Sequence, residues 1–255
     1  MQALLADLAG RFDVDAVVEC DSTNSELLRR AEQGCPPGTV LVADRQTAGR
    51  GRRGRTWLSS PQDSLTFSLL WRFAGPPARL AGLSLAVGVA LARACEALGA
   101  RGLGLKWPND LLWAAPDGFA KVAGILVELA LDRRGTAAVI GIGINLRRPP
   151  EPVEHAAAGL DQVLTPLPER HRLLAQLLTA LCAVLDEFSA DGFAGLQPEW
   201  QSRHLWQGEQ VVVLQDGQVI EGGTCLGVDG EGALLVGSAG DVRRLIAGDV
   251  SLRRS

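Results

Sequence analysis

The chain of 255 residues is poor in what several common chemistries need. It has three histidines, none at the spacing of metal ligands, which argues against a zinc site and gives no metal-binding residue to name. Its five cysteines (Cys20, Cys35, Cys95, Cys182 and Cys225) are odd in number and contain no CxxC pair. Reduced thiols fit this better than a disulfide framework, which a chain of this size does not need. The N-terminus shows no basic n-region or small-residue cleavage signal, so no leader is read there. No apolar run is expected to reach the roughly 20 residues that cross a bilayer, so no membrane partner is predicted. With a net charge of −4, there is no global positive field to draw the protein to nucleic acid. A cytoplasmic protein is expected. Its 47% hydrophobic content supports one large domain and one small one.

What the chain does have is concentrated. Five arginines and three glycines fall in the eleven residues from Arg45 to Arg55, just before Trp57. Glycine lets a backbone take positive φ and approach a ligand closely. Arginine offers a fixed fork for carboxylate or phosphate. The stretch reads as a loop able to close over a small anion. It is no Walker P-loop, because no Gly-Lys-Ser/Thr follows.

The hydrophobic pattern places strands at Val14–Val18, Val40–Ala43, Leu65–Phe73, Leu103–Lys106, Ala120–Ala130 and Ala137–Ile144. A helix from Ser25 to Gln33 follows the capping types Asp21, Ser22 and Thr23 and stops at Gly34 and Pro36. Leu80–Leu98 suits a buried helix, and leucines from Leu173 to Leu185 mark one face of another. A last helix is predicted over Phe193–Arg203. The turns between Leu103 and Ile144 suggest an antiparallel meander. Beyond Gly208, four short runs with glycine turns suggest a small β-barrel or sandwich.

Four motifs carry polar chemistry near strand ends. Asp21-Ser22-Thr23-Asn24 caps a helix and could equally bind a polar head. The Arg/Gly loop is the second. In Lys106-Trp107-Pro108-Asn109-Asp110, proline fixes the bend and restricts the residue before it. The fourth pairs Lys121–Glu128, where Lys121 and Glu128 are the charges on an apolar strand, with Gly141-Ile142-Gly143-Ile144-Asn145. Glycines inside such strands point to close approach of a ligand or backbone.

In this order and spacing the motifs resemble the catalytic domain of biotin–protein ligases over roughly residues 15–150, and Ala247–Ser251 is similar to the family's SH3-like C-terminal segment. The resemblance implies an α+β fold: a mixed, mainly antiparallel sheet flanked by helices, like class II tRNA synthetases, plus a small SH3-like β-barrel. The expected domains are residues 1–205 and 206–255. The activity implied is ATP-dependent: biotin becomes biotinyl-5′-AMP and is then transferred to a lysine of a biotin carboxyl carrier domain. Mg²⁺ would arrive with ATP.

Carried onto this sequence, the resemblance gives Ser22, Thr23, Asn24 and Gln46 to the biotin head. Arg50, Gly51 and Arg52 would cover the ligand. Trp57, Gly124 and Leu126 would line the tail. Lys121 would meet the carboxylate or α-phosphate, while Arg52, Arg55, Asn109 and Asn145 would join it at the nucleotide. Lys121, Arg52 and Asp110 are the expected catalytic residues, with Asp110 receiving the acceptor ammonium. Only 21 residues precede Ser22, so a ligase without a DNA-binding domain is expected. The family's aromatic residue after the Gly-Ile-Gly-Ile-Asn block is missing, which leaves His155 or apolar neighbours for adenine. Free strand edges leave room for a homodimer. Lipoate–protein ligases share the logic, but a Ser-Thr-Asn-Gln pocket has no ureido ring to meet there. A nucleic-acid arm would need a second basic patch or interleaved aromatics, and neither is seen.

Overall fold

A computed structural model describes residues 6–132, 135–149, 156–215, 217–238, 240–248 and 250–254. The strands are β1 (Asp13–Cys20), β2 (Thr39–Gln46), β3 (Ser64–Phe73), β4 (Leu103–Lys106), β5 (Asp110–Ala115), β6 (Gly118–Asp132), β7 (Gly135–Asn145), β8 (Gln210–Gln215), β9 (Gln218–Val228), β10 (Leu234–Ser238), β11 (Asp241–Leu245) and β12 (Val250–Arg254). The helices are α1 (Thr23–Glu32), α2 (Leu83–Ala97), α3 (Arg170–Asp191) and the short α4 (Gln197–Ser202).

Among the described residues, seven strands form one sheet in the order β1-β2-β3-β7-β6-β5-β4. Only β1 and β2 are parallel; α1 connects them, and the remaining pairs are antiparallel. The sheet is therefore mixed and mainly antiparallel, as expected. The meander gains a strand that sequence reading passed over: β5 follows directly on the Trp107–Asn109 bend and pairs Asp110 with Lys106.

Alternation along the strands separates two faces. Val40, Val42, Leu65, Phe67, Leu69, Ile140, Ile142 and Ile144 point into the main core with α2 and α3. The other face carries Leu41, Leu70, Ala137 and Val139, which α1 covers with Leu27 and Ala31. Ser22 caps α1, its hydroxyl accepting from the Ser25 amide at 3.5 Å. Glu26 near the start and Arg29 and Arg30 near the end complement the helix dipole. Because α1 is ten residues long, it leaves part of this face uncovered.

Contrary to the sequence expectation, Pro77–Ala97 and Arg170–Asp191 are long and apolar enough, by length and composition, to cross a membrane. Both pack into the core against the large sheet, with 67% and 61% of their most apolar windows buried. The Leu80–Leu98 helix starts late, at Leu83, because Gly82 takes φ 78° at its N-cap, where Phe193 packs too closely for a Cβ. The predicted Phe193–Arg203 helix is a 3₁₀ turn at Phe193–Gly195 followed by α4.

The C-terminal strands pair as a five-stranded antiparallel sheet, β11-β10-β9-β8-β12. Its fifth strand, β12, was not predicted. No pairing between β11 and β12 closes the sheet among the described residues. The connecting segment is tied to β4: the Leu105 amide donates to the Arg203 carbonyl at 2.8 Å, and the Leu205 amide to that of Leu105 at 3.0 Å. Trp107 Nε1 donates to the Gly232 carbonyl at 3.1 Å, fastening the β4–β5 bend to the second sheet.

Candidate active site

The uncovered part of the α1 face floors an open cavity of about 350 Å³. Strand register explains the floor. Asp110, Gly124, Gly143 and Thr66 lie in one row across β5, β6, β7 and β3; Leu126, Gly141 and Ser68 lie in the next. The glycines are required by what rests on them. A Cβ on Gly143 would overlap the Trp57 indole, and one on Gly141 the Asn24 side chain. A Cβ on Gly124 would come within 3.1 Å of Trp57 and 3.0 Å of Lys121. The fold thus gives the glycine-bearing strands a physical reason.

One end of the cavity is built of neutral polar side chains. Gln46 Oε1 accepts from the Thr23 amide at 2.8 Å and from its hydroxyl at 3.2 Å. Ser68 Oγ lies 2.8 Å from Thr23 Oγ1 and 2.6 Å from Asn24 Oδ1. Asn24 Nδ2 donates to the Leu126 carbonyl at 3.2 Å. These side chains are held by one another, and Ser22, Thr23, Asn24 and Ser68 are buried.

The other end is cationic. Lys121 Nζ sits 2.6 Å from Asp110 Oδ1, and Lys106 Nζ lies 3.8 Å from Oδ2 of the same carboxylate. Lys121 also lies over the Trp57 ring at 5.6 Å, and Lys106 over that of Trp206 at 4.7 Å. Burial pulls Lys106 down to about 8, with Asp110 opposing the shift. Seven arginine and lysine side chains line the cavity with a single carboxylate, Asp110, among the described residues.

The Arg/Gly loop forms the cavity's outer wall as a short hairpin. Arg50 bridges Thr56, the Gly51 amide donates to the Arg55 carbonyl at 2.7 Å, and the Trp57 amide to that of Gly49 at 2.9 Å. Arg53 supports its tip at φ 59°, a left-handed conformation. Arg52 reaches Asn109 Oδ1 at 3.3 Å and the Gly248 carbonyl at 2.6 Å. Asn109 in turn donates to the Ile125 carbonyl at 2.8 Å, and Asn145 to that of Lys121 at 3.2 Å.

The cavity therefore gathers Ser22, Thr23, Asn24, Gln46, Arg50, Gly51, Arg52, Arg55, Trp57, Asn109, Asp110, Lys121, Gly124, Leu126 and Asn145, the residues singled out in the sequence for a binding or catalytic role apart from His155. Sequence reading left out Thr66, Lys106 as a separate cation, and Ser251, Leu252 and Arg253 of β12, which also line it, and the buried Ser68, which braces Thr23 and Asn24 from beneath. Ser68 could have been found from strand alternation, since it shares a face with Thr66. The β12 residues carry no local signal. His155 lies outside the described residues. The segment after it does reach the site: the Lys121 amide donates to the Ala156 carbonyl, and the Ala158 amide to that of Lys121, at 2.8 and 3.0 Å.

Residues 17–145 match the model of the biotin/lipoate A/B protein ligase family. The chain belongs to that family. Residues 208–253 match the biotin protein ligase C-terminal domain as well. Among relatives of this biotin/lipoate ligase chain is the bifunctional ligase/repressor of Escherichia coli K12, 37% identical over 246 residues that cover 91% of this chain and 72% of the relative. The biotin–[acetyl-CoA-carboxylase] ligase of Mycobacterium tuberculosis is 36% identical, over 95% of this chain and 90% of its own. Among solved structures, biotin protein ligase from Aquifex aeolicus in complex with biotin and ATP superposes with a TM-score of 0.80 at 33% identity, covering 95% of this chain and 99% of that one.

Proposed function

We propose that the protein is an ATP-dependent biotin–protein ligase that makes biotinyl-5′-AMP and passes biotin to a lysine of a biotin carboxyl carrier domain in the cytoplasm. The observation that carries this reading is the two-ended cavity: an end of neutral polar side chains, a middle lined by Trp57 packed on its glycine floor, and a cationic end. Biotin has the same order of parts, a ureido ring, a methylene tail and a carboxylate. Lipoate lacks the ureido ring and would give the polar Thr23–Gln46–Asn24 end no group to hydrogen-bond. None of the five cysteines lines the cavity among the described residues, so no thiol nucleophile supports acyl transfer without ATP.

In this reading Ser22, Thr23, Asn24 and Gln46 hold the head, and Trp57, Gly124 and Leu126 flank the tail. Arg50, Gly51 and Arg52 close over it. Arg52 and Lys121 meet the carboxylate and α-phosphate, where charge grows as pyrophosphate leaves. Arg55, Asn109 and Asn145 serve the nucleotide, with Ala157, Pro149 and Leu252 as apolar surface for adenine in place of an aromatic ring. Asp110, the carboxylate that Lys121 and Lys106 face, accepts the ammonium of the incoming lysine, which must lose a proton before attacking the mixed anhydride.

Among the described residues no group of three or more His, Cys, Asp or Glu side chains could hold a metal ion. Mg²⁺ therefore enters the reading as the ion that ATP's own phosphates carry. Residues 1–205 and 206–255 are taken as the two domains, the second contributing β12 to the cavity wall. DNA and membranes have no role in the reading. Calorimetric titration with biotin, followed by ATP, tests it: biotin binds and pyrophosphate appears. Release of pyrophosphate with lipoate but not with biotin would replace it with the lipoate reading.

A further inference from the structure

Among the described residues, Glu128 is the one charge on the cavity face of β6 that the proposed chemistry leaves without a task. It follows Leu126 on the same face, at the boundary between the cavity and α1. Its two oxygens serve different structures. Oε2 accepts from Asn24 Nδ2 at 3.0 Å, inside the polar end. Oε1 binds Arg50 Nη2 at 2.7 Å, on the Arg/Gly loop. Arg50 also donates to Ser25 Oγ at 3.1 Å, one residue beyond Asn24 on α1.

The geometry restricts both partners. Asn24 is 3% exposed; its Oδ1 faces Ser68 and is pressed on Gly141, so its Nδ2 is directed to Glu128 and the Leu126 carbonyl. The loop is held by Arg52 to Asn109 and Gly248 at the cationic end and by Arg50 at the polar end. A neutral side chain at Glu128 could satisfy Asn24 but would lose the ion pair with the loop. A carboxylate satisfies both at once.

We infer that Glu128 is a positioning residue that couples the orientation of Asn24 in the head pocket to closure of the Arg/Gly loop through Arg50. This rests on the biotin-ligase reading and adds to it a residue that touches no reacting atom. A head group that fixes Asn24 fixes Glu128, and Glu128 presents its second oxygen to the loop. Arg50 then closes most tightly when the polar end is filled correctly.

The test measures biotin affinity and the escape rate of biotinyl-5′-AMP in the full-length protein. Glu128→Gln should speed escape by about threefold to tenfold, the size of a partly exposed ion pair with a charge-assisted hydrogen bond. Arg50→Met should speed escape by a similar factor. The double variant should be no faster than the worse single, because both changes remove the same contact. Glu128→Ala should also weaken biotin binding, since Asn24 loses its acceptor, whereas Arg50→Met should change biotin affinity less. Escape factors that multiply in the double variant, or a wild-type escape rate in Glu128→Gln, would overturn the inference. If Glu128→Gln fails to fold, Arg50→Met and Glu128→Asp give the same comparison. A wild-type protein that does not bind biotin would overturn the functional reading, and this inference with it.

Discussion

At the level of single residues, the cavity is built by contacts that fail in distinguishable ways. Lys121 is 2.6 Å from Asp110 and beside Trp57, where an anion produced by adenylation would arrive. Lys121→Ala should slow adenylation about a hundredfold or more while changing biotin affinity much less, because the charge it meets grows in the transition state. Single-turnover pyrophosphate release against equilibrium biotin binding reads the split, and equal losses in both would remove the role. Gly143→Ala acts differently. Its Cβ must displace the Trp57 indole, an overpacking change costing about 1–3 kcal/mol and narrowing the tail slot. A lower melting temperature together with weaker biotin binding is expected, and unchanged affinity would show that Trp57 does not wall the tail. The glycine positions were legible as close-approach sites in the sequence. What they approach was not, because Asn24 and Trp57 are distant in the chain and meet the strands only through the register of β3, β6 and β7.

Among the elements, the Arg/Gly loop was readable from composition, yet its hairpin pairing across Arg50 and Thr56 was not, since glycines and arginines carry no strand pattern. Because the loop is anchored through Arg52, Arg52→Ala should let biotinyl-5′-AMP escape about tenfold to a hundredfold faster, in line with loss of a hydrogen bond to a charged group. Retention of the adenylate with wild-type lifetime in that variant would contradict it. Strands with long apolar alternation, such as β3, β6 and β7, were found nearly to their ends. The misses share a cause. β5 begins at Asp110 within a motif whose turn chemistry masks the start of a strand, and β12 mixes arginine and serine, so its identity depends on pairing with β8. The helix starts at Leu83, short of the apolar run, because that run does not record the left-handed Gly82.

The whole molecule joins its two sheets through the segment around Arg203–Trp206, and one titratable group is buried there. His204 is 5% exposed, stacks near Trp200 at 4.6 Å and is brought down by burial to about 4. As pH falls below about 6.5, the unfolded chain takes up a proton that the folded one refuses until about 4, so stability drops across that window and is intact above it. The loss amounts to about 3 kcal/mol at most. Thermal unfolding from pH 7 to pH 4 should therefore show a steeper decline in the wild type than in His204→Phe, and parallel curves would place the acid sensitivity elsewhere. That this histidine lies at the joint could not be read from the sequence, where it follows a short helix like any surface residue. The charge of the cavity has its own consequence at this scale. Among the described residues seven arginines and lysines line it with one carboxylate, while Glu128 offsets Arg50 from its edge. Phosphate, sulfate and other small anions of an ordinary buffer will collect there and compete with the substrates, so the apparent affinity becomes a property of the medium as well as of the chain.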